Sequence, residues 1–274
     1  MTEWQSATIQ SNGIRIHYTR TGGDKPPVLL AHGFSDAGLC WTPVAEVLAN
    51  DYDVIMTDAR GHGRSEAPET GYGVTDMAAD IAGVITGLGL HKPALLGHSM
   101  GGATTFVLAG IYPDLPGAIL VEDAGGINIA SGNRPDAAAR MQQARERMTT
   151  LQSLSRDEVL AHGHETNPAW SQAELEPWAD AKLRFNLRAL NRMGTSVENW
   201  EEVLSNIRCP ALLITADVER GAIVDEAGAA KLKELIPQLT VAHVADAGHN
   251  IRREQFANYM AVVQNFLGES RKLV

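Results

Sequence analysis

The chain has 274 residues, 44% of them hydrophobic, enough for one large α/β domain with an insertion and a core that needs no staples. A formal net charge of −10 argues against nucleic acid and anionic membrane surfaces as partners. The two cysteines, Cys40 and Cys209, fit neither a C-x-x-C nor a metal-type spacing, and neither a secretory leader nor a run of about eighteen apolar residues is visible, so a soluble cytoplasmic protein is expected.

Residues 7–10 and 14–18 alternate in polarity around Asn12-Gly13, which reads as a hairpin. Residues 27–31 form a short, continuously apolar strand of the kind buried on both faces of a parallel sheet. Residues 39–48 have helical spacing, and 52–56 are the next strand. Residues 74–88 read as a helix, with Met77, Ile81, Val84 and Ile85 at three- and four-residue steps. A strand at 93–96 leads into a helix-compatible stretch at 102–111, and a further strand at 118–121 follows Tyr112-Pro113-Asp114. The last two strands are expected at 211–215 and 240–244, followed by helices at 226–236 and 254–266. Strands alternating with helices indicate an α/β protein, a mostly parallel sheet with helices on both faces.

Residues 124–207 break that rhythm. They hold no convincing strand and offer helical stretches at 135–148, 156–162 and 177–193, the last with Pro177 at a first helical position. Trp170, Trp178, Phe185 and Leu187 either line a pocket or form the small core of this segment.

Four motifs carry chemistry. Gly97-His98-Ser99-Met100-Gly101 fits G-x-S-x-G in a strand–turn–helix context, where the serine sits on a sharp turn and the glycines let strand and helix crowd it. Serine is a weak nucleophile at its own pKa and needs an adjacent base. The other three motifs are His32-Gly33-Phe34 at the end of an apolar strand, the turn Asp58-Ala59-Arg60-Gly61-His62-Gly63-Arg64-Ser65, and Asp246-Ala247-Gly248-His249 near the C-terminus.

These elements, in this order, resemble the α/β-hydrolase superfamily over nearly the whole chain. The resemblance implies a core domain of residues 1–123 and 208–274, with 124–207 as a helical cap over the active site. It implies Ser99 as nucleophile and His249, in the order Ser…acid…His, as base. His98 then lies inside the elbow, His62 in a structural turn and His32 in the oxyanion loop. The backbone amides of Phe34 and Met100 are expected to form the oxyanion hole, and Phe34, Trp170 and Trp178 to touch substrate. The acid has two candidate places. Glu219, with Asp217 close by, lies in the turn after strand 211–215. Asp123 ends the strand after the elbow helix, 24 residues beyond Ser99, and takes a modest lead. His162-Gly163-His164-Glu165 superficially resembles part of a metallo-lactonase site but lacks the further ligands, and reads as a solvated helix end.

The implied activity is that of a cofactor-free, metal-free serine hydrolase (carboxylesterase or lactonase) acting on a small ester or lactone. N-acyl homoserine lactones and macrocyclic lactones are plausible substrates by resemblance. Ser99 stands where dehalogenases and epoxide hydrolases need a carboxylate. Hydrolysis of a carbon–carbon bond in ring-cleavage products, and a ligand receptor retaining a slow triad, are the alternatives. A monomer or homodimer is expected.

Overall fold

The computed structural model describes residues 4–125 and 137–272. Eight strands form one sheet in the order β1-β2-β4-β3-β5-β6-β7-β8, where β1 is Gln5–Ser11, β2 Ile14–Arg20, β3 Pro27–Ala31, β4 Asp53–Thr57, β5 Ala94–His98, β6 Ala118–Glu122, β7 Ala211–Thr215 and β8 Leu239–His243. β1 and β2 are an antiparallel hairpin, β2 joins β4 antiparallel, and every pairing from β4 to β8 is parallel. Asn12 and Gly13 both adopt positive φ, 47° and 80°, as a two-residue hairpin turn of matching twist requires.

The sheet is two-sided, and strand alternation divides the core between its faces. Leu29, Leu95, Ile119, Val121 and Leu213 point to one face, where α2 (Val74–Gly87) and α3 (Met100–Ile111) cover them. Val28, Leu30, Leu96, Leu120, Leu212 and Ile214 point to the other, against α1 (Thr42–Leu48) and the C-terminal helix Phe256–Ser270. This period-2 division of continuously apolar strands is the signature of a sheet buried on both faces.

Among the described residues, the segment between β6 and β7 is helical: α4 (Ala137–Gln152), α5 (Arg156–Thr166), α6 (Gln172–Arg184), a 3-10 stretch (Leu187–Gly194) and α7 (Trp200–Ser205). The expected start at residue 135 lies outside the described residues. Pro177 does not begin a helix. It lies inside α6, which starts at Gln172 behind Ser171 and stops where Phe185 turns extended. The expected single helix over 177–193 is therefore an α-helix and a 3-10 stretch broken at Phe185. α7 packs with the sheet domain: Leu204 joins the core beside α3, and a Cβ on Gly110 would strike the Val203 carbonyl. The residues near 200–207, expected in the cap, thus pack with the core.

Candidate active site

The turn at Ser99 links β5 to α3. Ser99 has φ 51° and ψ −108°, a conformation that costs a non-glycine residue energy and is held by its surroundings. Its N–H donates to the Glu122 carbonyl at 3.0 Å, and its carbonyl accepts from Ala103 N at 2.9 Å. A Cβ on Gly97 would overlap the Gly101 carbonyl, and one on Gly101 the Ala31 carbonyl, so only glycine permits this crossing of strand, turn and helix. Met100 is the first residue of α3, where backbone N–H groups have no intrahelical partner.

The loop after β3 lies against this turn. A Cβ placed on Gly33 would come within 3.6 Å of the Ser99 Cβ and 2.6 Å of His98 Nδ1. The loop is closed by Asp36 N donating to the Gly33 carbonyl at 3.2 Å, with Ser35 at φ 62°. Buried His32 holds it from behind. Its Nε2 accepts from Ala59 N at 3.0 Å, so Nδ1 carries the proton and donates to the Gly33 carbonyl at 2.8 Å. Burial lowers the His32 pKa and keeps the ring neutral. Phe34 is half-buried and stacks edge-on against Phe185, with ring centroids 5.2 Å apart.

His249 lies in the loop after β8, with its side chain 29% exposed. Its Nδ1 donates to Asp123 Oδ2 at 2.6 Å. Asp123 is fully buried at the end of β6 and also has positive φ, 41°. Its two oxygens accept from Ile223 N at 2.8 and 3.0 Å, and Oδ1 also accepts from Val224 N at 3.0 Å. The carboxylate is thus surrounded by donors alone. His98 is buried behind the elbow, where its Nε2 donates to the His249 carbonyl at 2.9 Å. Burial, with Arg252 and His249 adding to it, holds the His98 pKa well below the ordinary imidazole value.

The other acid candidates are placed elsewhere. Asp217 accepts from the Asp246 amide at 2.9 Å and contacts His243 Nε2 at 2.9 Å, so it braces the loop that carries His249 rather than the ring. Glu219 is exposed on the short 3-10 turn Val218–Arg220, and among the described residues no hydrogen bond joins it to His249. Trp170 and Trp178, expected at the substrate, do not join the Phe34 wall. They form a small core of the helical segment with Val159, Leu175 and Ala179, while Phe34 packs with Phe185, Met148 and Leu151. The reason is α6 itself, which turns Leu175 and Trp178 toward α5 at a three-residue step. His164 is exposed and bonded to Gln172 at 3.0 Å, and no cluster of three metal-ligating side chains occurs among the described residues.

Beneath the site runs a buried network of charges that sequence reading missed. Asp36, in the loop after β3, pairs with Lys182 of α6 at 3.0 Å and with Arg253 at 3.0 Å. Arg253 also pairs with Glu174 of α6 at 3.0 Å, and Arg252 with Glu122, the neighbour of Asp123, at 3.1 Å. Burial pushes the Asp36 carboxyl up, but Arg253, Lys182 and Arg252 together hold it well below its ordinary value. The network ties four pieces together: the loop after β3, α6 of the helical segment, the strand end bearing Asp123 and the helix after His249. Its members are scattered in sequence from Asp36 to Arg253, and no local motif marks them.

A second Ser–His–Asp line exists. Ser6 Oγ lies 2.8 Å from His17 Nε2, and His17 Nδ1 lies 2.8 Å from Asp58 Oδ2. Ser6 sits in the regular strand β1, and Asp58 also accepts from the amides of Gly38 and Arg64. This line fastens the 58–65 turn to the hairpin and has no strained serine turn.

The sequence profile of the α/β-hydrolase fold matches residues 26–252. The chain belongs to that family. It is 30% identical over 276 residues to an N-formylmaleamate deformylase of Pseudomonas putida, covering 94% of this chain and 95% of that one. It is 30% identical over 203 residues to a soluble epoxide hydrolase of a Corynebacterium species, covering 73% and 65%. Among solved structures, an enol-lactonase from Burkholderia xenovorans aligns with TM-score 0.77 and 23% identity over 96% of this chain and 100% of that one. Family and relatives mark this α/β-hydrolase as a hydrolase. No helix among the described residues is long and apolar enough to cross a membrane.

Proposed function

We propose that the protein is a cofactor-free serine hydrolase that cleaves a small ester or lactone through an acyl-enzyme on Ser99. The observation that carries this is the 2.6 Å contact between His249 and Asp123 beside the strained serine turn. Donation from Nδ1 to Asp123 fixes the imidazole tautomer and leaves Nε2 as the base. His249 takes the Ser99 proton as Oγ attacks the carbonyl, and Asp123 stabilises the imidazolium that forms. The amides of Met100 and Phe34 receive the developing oxyanion. His249 then protonates the leaving group and activates the water that releases the acyl chain. Residues 137–194 form the described part of the cap over this site.

Two comparisons bear on the substrate. The deformylase relative, matched over almost its whole length, favours a second reading in which the scissile bond is an amide. The epoxide-hydrolase relative does not extend to this chain, because Ser99 occupies the nucleophile position that such enzymes give to a carboxylate. The test is a panel of chromogenic short-chain esters, lactones and N-formyl amides followed by pH-stat. Steady turnover of an ester or lactone is expected. Turnover confined to the amides moves the protein to the second reading, and a stoichiometric burst without turnover makes it a ligand receptor.

A further inference from the structure

Among the described residues, the cations that are buried outright are all paired with carboxylates. Arg60 pairs with Asp80 at 2.5 Å, Lys182 with Asp36 at 3.0 Å, Arg252 with Glu122 at 3.1 Å and Arg253 with Glu174 at 3.0 Å. The 3-10 stretch Leu187–Gly194 carries two arginines with opposite fates. Arg188 is exposed and pairs with Glu69 at 3.2 Å. Arg192 turns inward and is half-buried, with its guanidinium carbon 5.7 Å from the centroid of the Phe34 ring. Among the described residues it has no carboxylate partner and no hydrogen bond from its guanidinium.

Among the described residues, the surroundings of Arg192 supply no counter-charge. Phe34, Phe185 and His62 form an edge-on aromatic cluster with centroids 5.0 to 5.9 Å apart. Burial pushes the His62 imidazole down to about 3, so it is neutral, and its Nδ1 donates to the Arg60 carbonyl at 2.9 Å. Burial alone pulls the Arg192 guanidinium down to about 10. A cation held over aromatic faces gains a partial return from the ring quadrupole, but a partly desolvated guanidinium is best met by a planar anion that takes two parallel N–H bonds. Phe34 connects this cation to the chemistry, since it follows Gly33, which lies against Ser99.

We propose that Arg192 anchors a carboxylate of the substrate, so that the Ser99 site takes small acyl compounds bearing a carboxylate beyond the scissile carbonyl. This rests on the Ser99 reading above. One guanidinium balances a monoanion, whereas a phosphate dianion would call for a second cation at the same place. The desolvation of Arg192 is met before substrate arrives, so the pair forms at little further cost.

The test uses 4-nitrophenyl hydrogen esters of succinic, glutaric and adipic acids, each beside its neutral methyl ester, with background hydrolysis subtracted. The expected result is a kcat/KM preference for a charged ester of about 10- to 100-fold, the worth of one charge-assisted hydrogen bond. Arg192→Gln should collapse that ratio, and Arg192→Lys should restore part of it. Equal rates for both esters, or a preference that survives Arg192→Gln, overturn the proposal while leaving Ser99 as nucleophile. A second arm needs neither turnover nor an Arg192 variant: calorimetry on Ser99→Ala protein with monomethyl succinate and with dimethyl succinate. Binding of the anion at least 10-fold tighter supports the carboxylate site, and equal or absent binding of the two overturns it. Failure of the Ser99 reading has a different signature, namely ester turnover that persists in Ser99→Ala.

Discussion

Replacing Asp123 by asparagine isolates the role of the acid. The native carboxylate accepts from His249 at 2.6 Å through Oδ2 and from Ile223 and Val224 at 3.0 Å through Oδ1. The amide has one oxygen and one NH₂ to distribute. Setting NH₂ at the Oδ1 place would aim it at two backbone donors. Setting it at the Oδ2 place forfeits only the 2.8 Å bond from Ile223, keeps the 3.0 Å bonds from Ile223 and Val224 on the oxygen, and leaves NH₂ facing His249. The imidazole then accepts at Nδ1 and carries its proton on Nε2, the tautomer that cannot take a proton from Ser99. The expected fall in kcat is about 10⁴-fold, or about 5.4 kcal/mol of barrier. The loss of folding stability should be smaller, about 1–3 kcal/mol for one charge-assisted bond. The assay is short-chain 4-nitrophenyl ester hydrolysis at neutral pH, with Glu219→Gln and Asp217→Asn as companions and thermal melts alongside. Asp123→Asn within a few-fold of the parent, with collapse of Glu219→Gln, would refute the reasoning.

Two further outcomes follow from the same geometry. Asp36 has a depressed pKa in the folded state, so its stabilisation is present above the unfolded carboxylate value near 3.8 and is lost as pH falls through the folded one. Asp36→Asn should lower Tm by about 10 °C at pH 7, from about 3–5 kcal/mol for a broken buried pair, and the wild-type and variant melting curves should converge as pH drops below about 4; a gap independent of pH contradicts the network. Trp178→Ala should cost about 3–5 kcal/mol, because the side chain is 4% exposed in the core it shares with Val159 and Leu175, and should leave the ranking of ester substrates unchanged; a changed ranking without lost stability returns Trp178 to the substrate wall.

The legibility of the sequence follows the range of the forces involved. The eight strands were readable because β1 and β2 alternate in polarity around a turn and the other six are short, mostly apolar runs closed by turn residues, and their ends fall within two residues of expectation. The sharp turn at Ser99 and the loop that carries His249 were readable because each has a local sequence signature. The helices around Pro177 were misread because a proline can sit inside a helix, where it forgoes one bond to the Ala173 carbonyl; the local mark of the true start is Ser171 followed three residues later by Glu174. Chain position suggested Asp123, but the amides of Ile223 and Val224 that cradle it lie about 100 residues away and have no side-chain signature. The charge network and the inward turn of Arg192 depend on tertiary placement, so Arg188 and Arg192 look alike in sequence and differ only in the fold.

The most direct measurement is mass spectrometry of the protein after reaction with a serine-directed fluorophosphonate, run in parallel with ester turnover. A single adduct on the peptide bearing Ser99 is expected, with turnover lost in step, and neither adduct nor turnover should remain in a folded Ser99→Ala variant. An adduct on another residue, or turnover that persists in Ser99→Ala, would contradict the account.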